Sequence, residues 1–141
     1  MSNGLAAALG VDDKSKAKIA DVQKRFKARL SAAKSAINFV KKSGYTPKSD
    51  LKKLTKQQLA DFKAALDRYS VGDQARLWAE TFSQELMRNS VTPATKEAFA
   101  EATKEMKDQL DPISTEYASH PFKTAPRGLG LEIIKLHDGM K

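Results

Sequence analysis

Between Lys14 and Lys42 an apolar side chain recurs at every third or fourth position, as Ile19, Val22, Phe26, Leu30, Ala33, Ile37 and Val40. Only a helix brings residues so spaced onto one face, because a strand would alternate its side chains with period two. On a rod about 43 Å long the stripe covers an arc of about 80°, and Lys16, Lys18, Lys24, Arg25, Lys27, Arg29, Lys34 and Lys42 take the remainder. So narrow a seam suits contact with another helix, in the same chain or in a second copy, better than complete burial. Asp12 or Asp13 is placed to cap the start of this helix, and Ser43-Gly44 with Thr46-Pro47 to end it.

The same stretch carries the charge. From Lys14 to Lys56 there are 12 Lys and 2 Arg against Asp21 and Asp50, a net +12, although the whole 141-residue chain is only +8. From Gln57 to Lys141, 11 basic residues face 13 acidic ones. A cluster of this kind points to a polyanionic partner more directly than a high pI does, since grouped Lys and Arg release counterions condensed on phosphates. Phosphate contacts are therefore expected from Lys24, Arg25, Lys27, Arg29 and Lys34, extended by Lys41 and Lys42. Tyr45, in a polar turn between Lys41-Lys42 and Lys48, reads either as an aromatic that stacks on a base or as a staple on its own helix end.

Three further helices are predicted. Thr55 and Gln58 form a capping-box pattern that opens one running to about Tyr69, with Leu59, Phe62, Leu66 and Tyr69 on its face. Val71-Gly72-Asp73 reads as a turn before another, Gln74 to about Asn89, with Leu77, Trp78, Phe82 and Leu86 as core candidates. Thr92-Pro93 starts the last, in which Ala98, Ala102, Met106 and Leu110 repeat every four residues until Pro112 ends or kinks it. Beyond Pro112, the prolines and glycines from His120 to Gly130 suggest an extended connection, followed by an apolar group of Leu129, Leu131, Ile133, Ile134 and Leu136. The expected organisation is an N-terminal tail (1–13), a helical domain (14–111, with core helices in 55–111) and a C-terminal docking tail (112–141) whose five apolar residues need a groove.

Several classes of chemistry find no support. Without cysteine there is no disulfide framework and no thiolate metal site or nucleophile, which favours an intracellular or virion-interior setting. His120 and His137 alone cannot build a zinc site. The neighbours His137 and Asp138 should diverge rather than act as base and orienter, and Arg127-Gly128-Leu129-Gly130-Leu131 lacks the rest of a phosphate loop. Glu97, Glu101 and Glu105 stack like charges on one helix face, where solvent or the basic first helix can compensate them better than a metal could. No apolar run reaches membrane-spanning length, and Leu5 to Leu9 is too short for a signal sequence. No catalytic residue, cofactor or metal is expected.

The fold expected is all-α, a small bundle of about four helices with a long basic N-terminal helix and an irregular C-terminal tail. The first function expected is non-catalytic binding of DNA or RNA through the phosphate backbone. The alternative is a structural or assembly protein, a virion, adaptor or scaffold component, that docks its seam and tail onto copies of itself or a larger partner.

Overall fold

A computed structural model describes residues 12–89 and 92–140. The N-terminal tail, apart from Asp12 and Asp13, and the Leu5 to Leu9 run lie outside the described residues. The fold is all-α, a bundle of four helices with no strand among the described residues: α1 is Asp13–Ser43, α2 Lys56–Arg88, α3 Pro93–Ser119 and α4 Leu129–Asp138. Short 3-10 turns at Leu51–Lys53 and Pro121–Thr124 complete it.

The helix starts follow the capping chemistry. Asp12 accepts a hydrogen bond from the Ser15 N–H at 2.8 Å. Thr55 accepts from the Gln58 N–H at 3.1 Å while the Gln58 side chain accepts from the Thr55 N–H at 2.9 Å, a complete capping box. Thr92 accepts from the Thr95 N–H at 3.1 Å with Pro93 in the first turn, where a missing N–H costs nothing. Gly44, at φ 74°, closes α1 in the left-handed conformation that glycine adopts without strain.

Two predicted breaks are absent. Val71-Gly72-Asp73 is not a turn, so the second and third predicted helices are a single helix, α2. Gly72 is there for close approach: a Cβ at this position would lie 2.5 Å from the Ala36 Cβ and overlap the Tyr117 hydroxyl. Nor does Pro112 end α3, which continues to Ser119. Pro112 is on the solvent side, where the carbonyl it leaves unbonded can reach water, and Ile113 and Tyr117 beyond it are buried. Burial of those two large side chains outweighs the local cost of the proline ring.

α1 and α2 are antiparallel neighbours, and α3 lies along one side of both. At one end Val22 and Phe26 of α1 pack with Ala79 and Leu86 of α2 and with Phe99 and Met106 of α3. In the middle Ala33, Ile37, Ala75, Ile113 and Tyr117 meet. The Tyr117 hydroxyl donates to the Ala33 carbonyl at 2.6 Å and the Tyr69 hydroxyl to the Tyr117 carbonyl at 2.7 Å, which pins the three helices together. The predicted α1 stripe is the buried face, with Ile19 and Leu30 half-buried at its margins.

The segment expected to be an irregular tail is part of this core. Phe122, Leu129 and Ile133 pack with Val40, Leu51, Leu59 and Phe62, so α4 closes the end of the bundle against α2. The His120 to Gly130 segment, expected to be an extended connection, holds a 3-10 turn at Pro121–Thr124, fixed by the His120 Nδ1 accepting from the Phe122 N–H at 3.1 Å, and its last two residues begin α4.

Two outcomes follow. Gly→Ala inside a helix ordinarily gains a few tenths to about 1 kcal/mol. Gly72→Ala should reverse that sign and cost about 1–3 kcal/mol in urea unfolding, because the methyl group has no space. Burial, reinforced by the charges of Asp73 and Tyr69 and opposed by Arg76 and Arg68, pushes the Tyr117 phenol up from 10 to about 12. The unfolded chain ionises first, so this contribution to stability is fully present below pH 10 and is lost as the pH climbs from 10 through about 12. Melting temperature followed over that range should fall in the native protein and fall less in Tyr117→Phe.

Candidate nucleic-acid interface

Because α3 covers one side of the α1–α2 pair, the other side is open. On α2 the buried face is built largely from small residues, Ala65, Gly72, Ala75, Ala79 and Ser83, so the helices approach closely and large side chains are left at the margin. Trp78, expected in the core, is 52% exposed on that margin, and Phe39 of α1 is 43% exposed. Leu77 is also exposed, Leu66, Tyr69 and Phe82 are half-buried, and Leu59, Phe62 and Leu86 alone of the predicted aromatic and leucine core are fully buried. The reason is phase: a turn at 71–73 would have reset the helix, whereas continuity carries Trp78 seven residues on from exposed Val71 to the same outer edge.

An arginine attends each exposed aromatic. The Arg68 guanidinium lies over the Phe39 ring at 4.9 Å and that of Arg29 over Trp78 at 5.7 Å. Arg68 also reaches the Ser35 hydroxyl at 3.5 Å. Around Phe39 is an open depression of about 600 Å³ lined by Ser31, Lys34, Ser35, Asn38, Lys42 and Arg68. No carboxylate lines it, so three cations converge with hydroxyl and amide donors between them.

The predicted basic residues divide by their partners. Lys24, Lys27, Lys34 and Lys42 are exposed on α1 and meet no carboxylate among the described residues. Arg25 pairs with Asp21 at 2.9 Å and Lys41 with Glu116 at 3.0 Å, so these two already have counter-charges. Tyr45 is neither an exposed platform nor a staple on its own helix end: its ring stacks on Phe62 of α2 at 4.8 Å, and burial, with the Asp61 charge, raises its pKa. Residues missed in the sequence are Phe39, whose signal was an aromatic lying off the apolar stripe, and Arg68, which reaches the site only through the packing of α2 on α1.

Other candidates resolve differently. Of the five C-terminal apolar residues, Leu129 and Ile133 are buried, Leu136 is half-buried, and only Leu131 and Ile134 face outward. Glu97, Glu101 and Glu105 are exposed on α3 and pair with no cation among the described residues. No group of three metal-ligating side chains forms among the described residues. His137 and Asp138 do meet, contrary to expectation, at 3.2 Å. The groove they border, with Leu59, Lys63, Asp67, Ile133 and Ile134, contains no hydroxyl or thiol to activate. No helix among the described residues is long and apolar enough to cross a membrane.

No family model, curated protein or solved structure matches this chain.

Exposure gives a direct check on the division between core and surface. Phe62→Ala should cost about 3–5 kcal/mol in chemical unfolding, as a fully buried aromatic does. Trp78→Ala should cost about 1–2 kcal/mol, because about half the ring is already in water and what is lost is the Arg29 contact and the stacking on Phe82. Equal losses would place Trp78 in the core after all.

Proposed function

We propose that this chain is a non-catalytic nucleic-acid-binding protein that contacts phosphates through the open side of its α1–α2 pair. The observation that carries the proposal is the convergence of Lys34, Lys42 and Arg68 on one depression with no carboxylate in its lining. Unpaired surface cations repel one another, and a polyanion offsets that repulsion while its condensed counterions are released. Lys24 and Lys27 extend the positive surface along α1. Such a protein works beside its nucleic acid, inside a cell or a virion.

An assembly role is the second reading. It has less surface to use, because the α1 stripe packs inside the bundle and Leu131 and Ile134 are the outward-facing remainder of the C-terminal group. In that case molar mass would depend on concentration and Ile134→Asp would lower it, with no dependence on nucleic acid.

Salt titration of binding to a mixed-sequence oligonucleotide tests the first reading. Each phosphate contact adds roughly −0.9 to the slope of log affinity against log salt on duplex DNA and about −0.7 on a single strand. Changing Lys34, Lys42 and Arg68 together to Gln should therefore flatten the slope by about 2 to 3 with the melting temperature preserved. An unchanged slope, or no salt-dependent binding in the native protein, would remove the proposal.

A further inference from the structure

The surface carries more than charge. Phosphate binding needs Lys and Arg alone, yet Phe39 and Trp78 are both about half exposed on the open side, with Val71, at 65% exposure, between Arg68 and Trp78 along α2. Large apolar surface of this kind in water is unfavourable unless something covers it. The cationic setting selects what does. A second copy seated two-fold on this face would oppose Arg29, Lys34, Lys42 and Arg68 to their own duplicates, with no carboxylate among the residues lining either depression. A copy presenting its exposed α3 glutamates would meet the cations but offer the rings no flat apolar face. A polyanion with flat apolar faces satisfies both requirements.

We propose that the open side of α1 and α2 binds single-stranded nucleic acid, stacking bases on Phe39 and Trp78 while Lys34, Lys42 and Arg68 hold the phosphates. This rests on the nucleic-acid-binding reading and adds the form of the strand. In a duplex the base faces are hidden in the stack, so a duplex could engage the cations but would leave both rings in water. A single strand offers those faces, and base stacking on aromatics tolerates any sequence.

The spacing fits. Arg29, which marks the Trp78 station on α1, and Phe39 are ten residues apart on the same helix, about 15 Å at 1.5 Å per residue. A strand stacked as in a duplex, at about 3.4 Å per nucleotide, crosses that distance in about four nucleotides, and a more extended strand in fewer. Ser31, Ser35 and Asn38 line the depression beside Phe39 and supply donors for sugar and phosphate oxygens. Each arginine now rests over a ring, but an exposed cation–π contact is weaker than a charge-assisted hydrogen bond to phosphate. A strand can therefore take the guanidinium onto its phosphate and the ring face under its base.

Trp78 is the chain's one tryptophan, so its emission reports on this site alone. The full chain would be titrated with oligo-dT and oligo-U of about eight nucleotides, a duplex of the same length and inorganic polyphosphate. Quenching by either oligonucleotide but not by polyphosphate is expected. Phe39→Ala should weaken single-strand binding about five- to hundred-fold, the loss of one stacked base, with duplex and polyphosphate binding within about two-fold of native. Phe39→Tyr, which keeps the ring, should retain the affinity and controls for folding, together with an unchanged melting temperature. If Phe39→Ala weakens every probe alike or none, or if duplex and polyphosphate quench as strongly as the single strand, base stacking is wrong. The phosphate-binding reading then still stands wherever Lys34, Lys42 and Arg68 set the salt slope. Salt-independent or absent binding to all four probes would overturn both.

Discussion

The structure depends on how closely α1, α2 and α3 approach one another at Gly72. With no side chain there, Ala36 of α1 and the Tyr117 hydroxyl of α3 occupy the space a methyl group would fill, and that hydroxyl donates to the Ala33 carbonyl. A carbonyl within a helix has a second lone pair, so this bond forms without loss to the α1 ladder. The contact sets the register of the two long helices. That register brings Arg68 to Phe39 and Arg29 to Trp78, the two meetings being ten residues apart on each helix. The candidate binding surface is thus a consequence of one tight crossing.

Close packing also explains why aromatic residues are at the surface. Small residues fill the α1–α2 contact, chiefly Ala36, Gly72, Ala75 and Ala79, and the space between the helices is too narrow for an indole. Large rings are instead used where α3 and α4 leave wider gaps: Phe26 and Phe99 at one end, Phe62 and Phe122 at the other. Phe39 and Trp78 are left at the open edge, each with an arginine.

Charge is arranged to the same effect. Surface ion pairs contribute roughly 0–1 kcal/mol each, so the fold loses little by leaving cations unpaired. Carboxylates reach Lys18, Arg25 and Lys41, through Glu85, Asp21 and Glu116, at the margins of α1. Lys34, between those pairs, and Lys42, just beyond them, have none, and Arg68 faces a serine and a ring rather than an acid. The fold's stability comes from the apolar stripe and the tyrosine bonds and does not depend on neutralising the positive surface.

Local rules were legible in the residues themselves. Asp12, Thr55 and Thr92 cap the helices they were expected to cap, since a side-chain oxygen and an N–H three residues on need no distant partner. The α1 stripe and the four-residue repeat of α3 are buried as periodicity implies, because period and face are properties of one helix. The all-α class and the excess of positive charge followed in the same way. Gly72, Pro112, Trp78 and the C-terminal segment did not. A glycine marks a turn or a close crossing according to what lies opposite it, and a proline ends a helix only when burial beyond it is too weak to continue it. Trp78 is outside because the small residues of α2 meet those of α1, and Tyr45 stacks on α2 because Phe62 is within reach. The meeting of Arg68 with Phe39 joins positions 29 residues apart in sequence. The sequence alone determined that these helices form and where most of them begin. Only the tertiary structure decided which face each one shows to solvent, because that depends on contacts between residues that are neighbours in space and not in the chain.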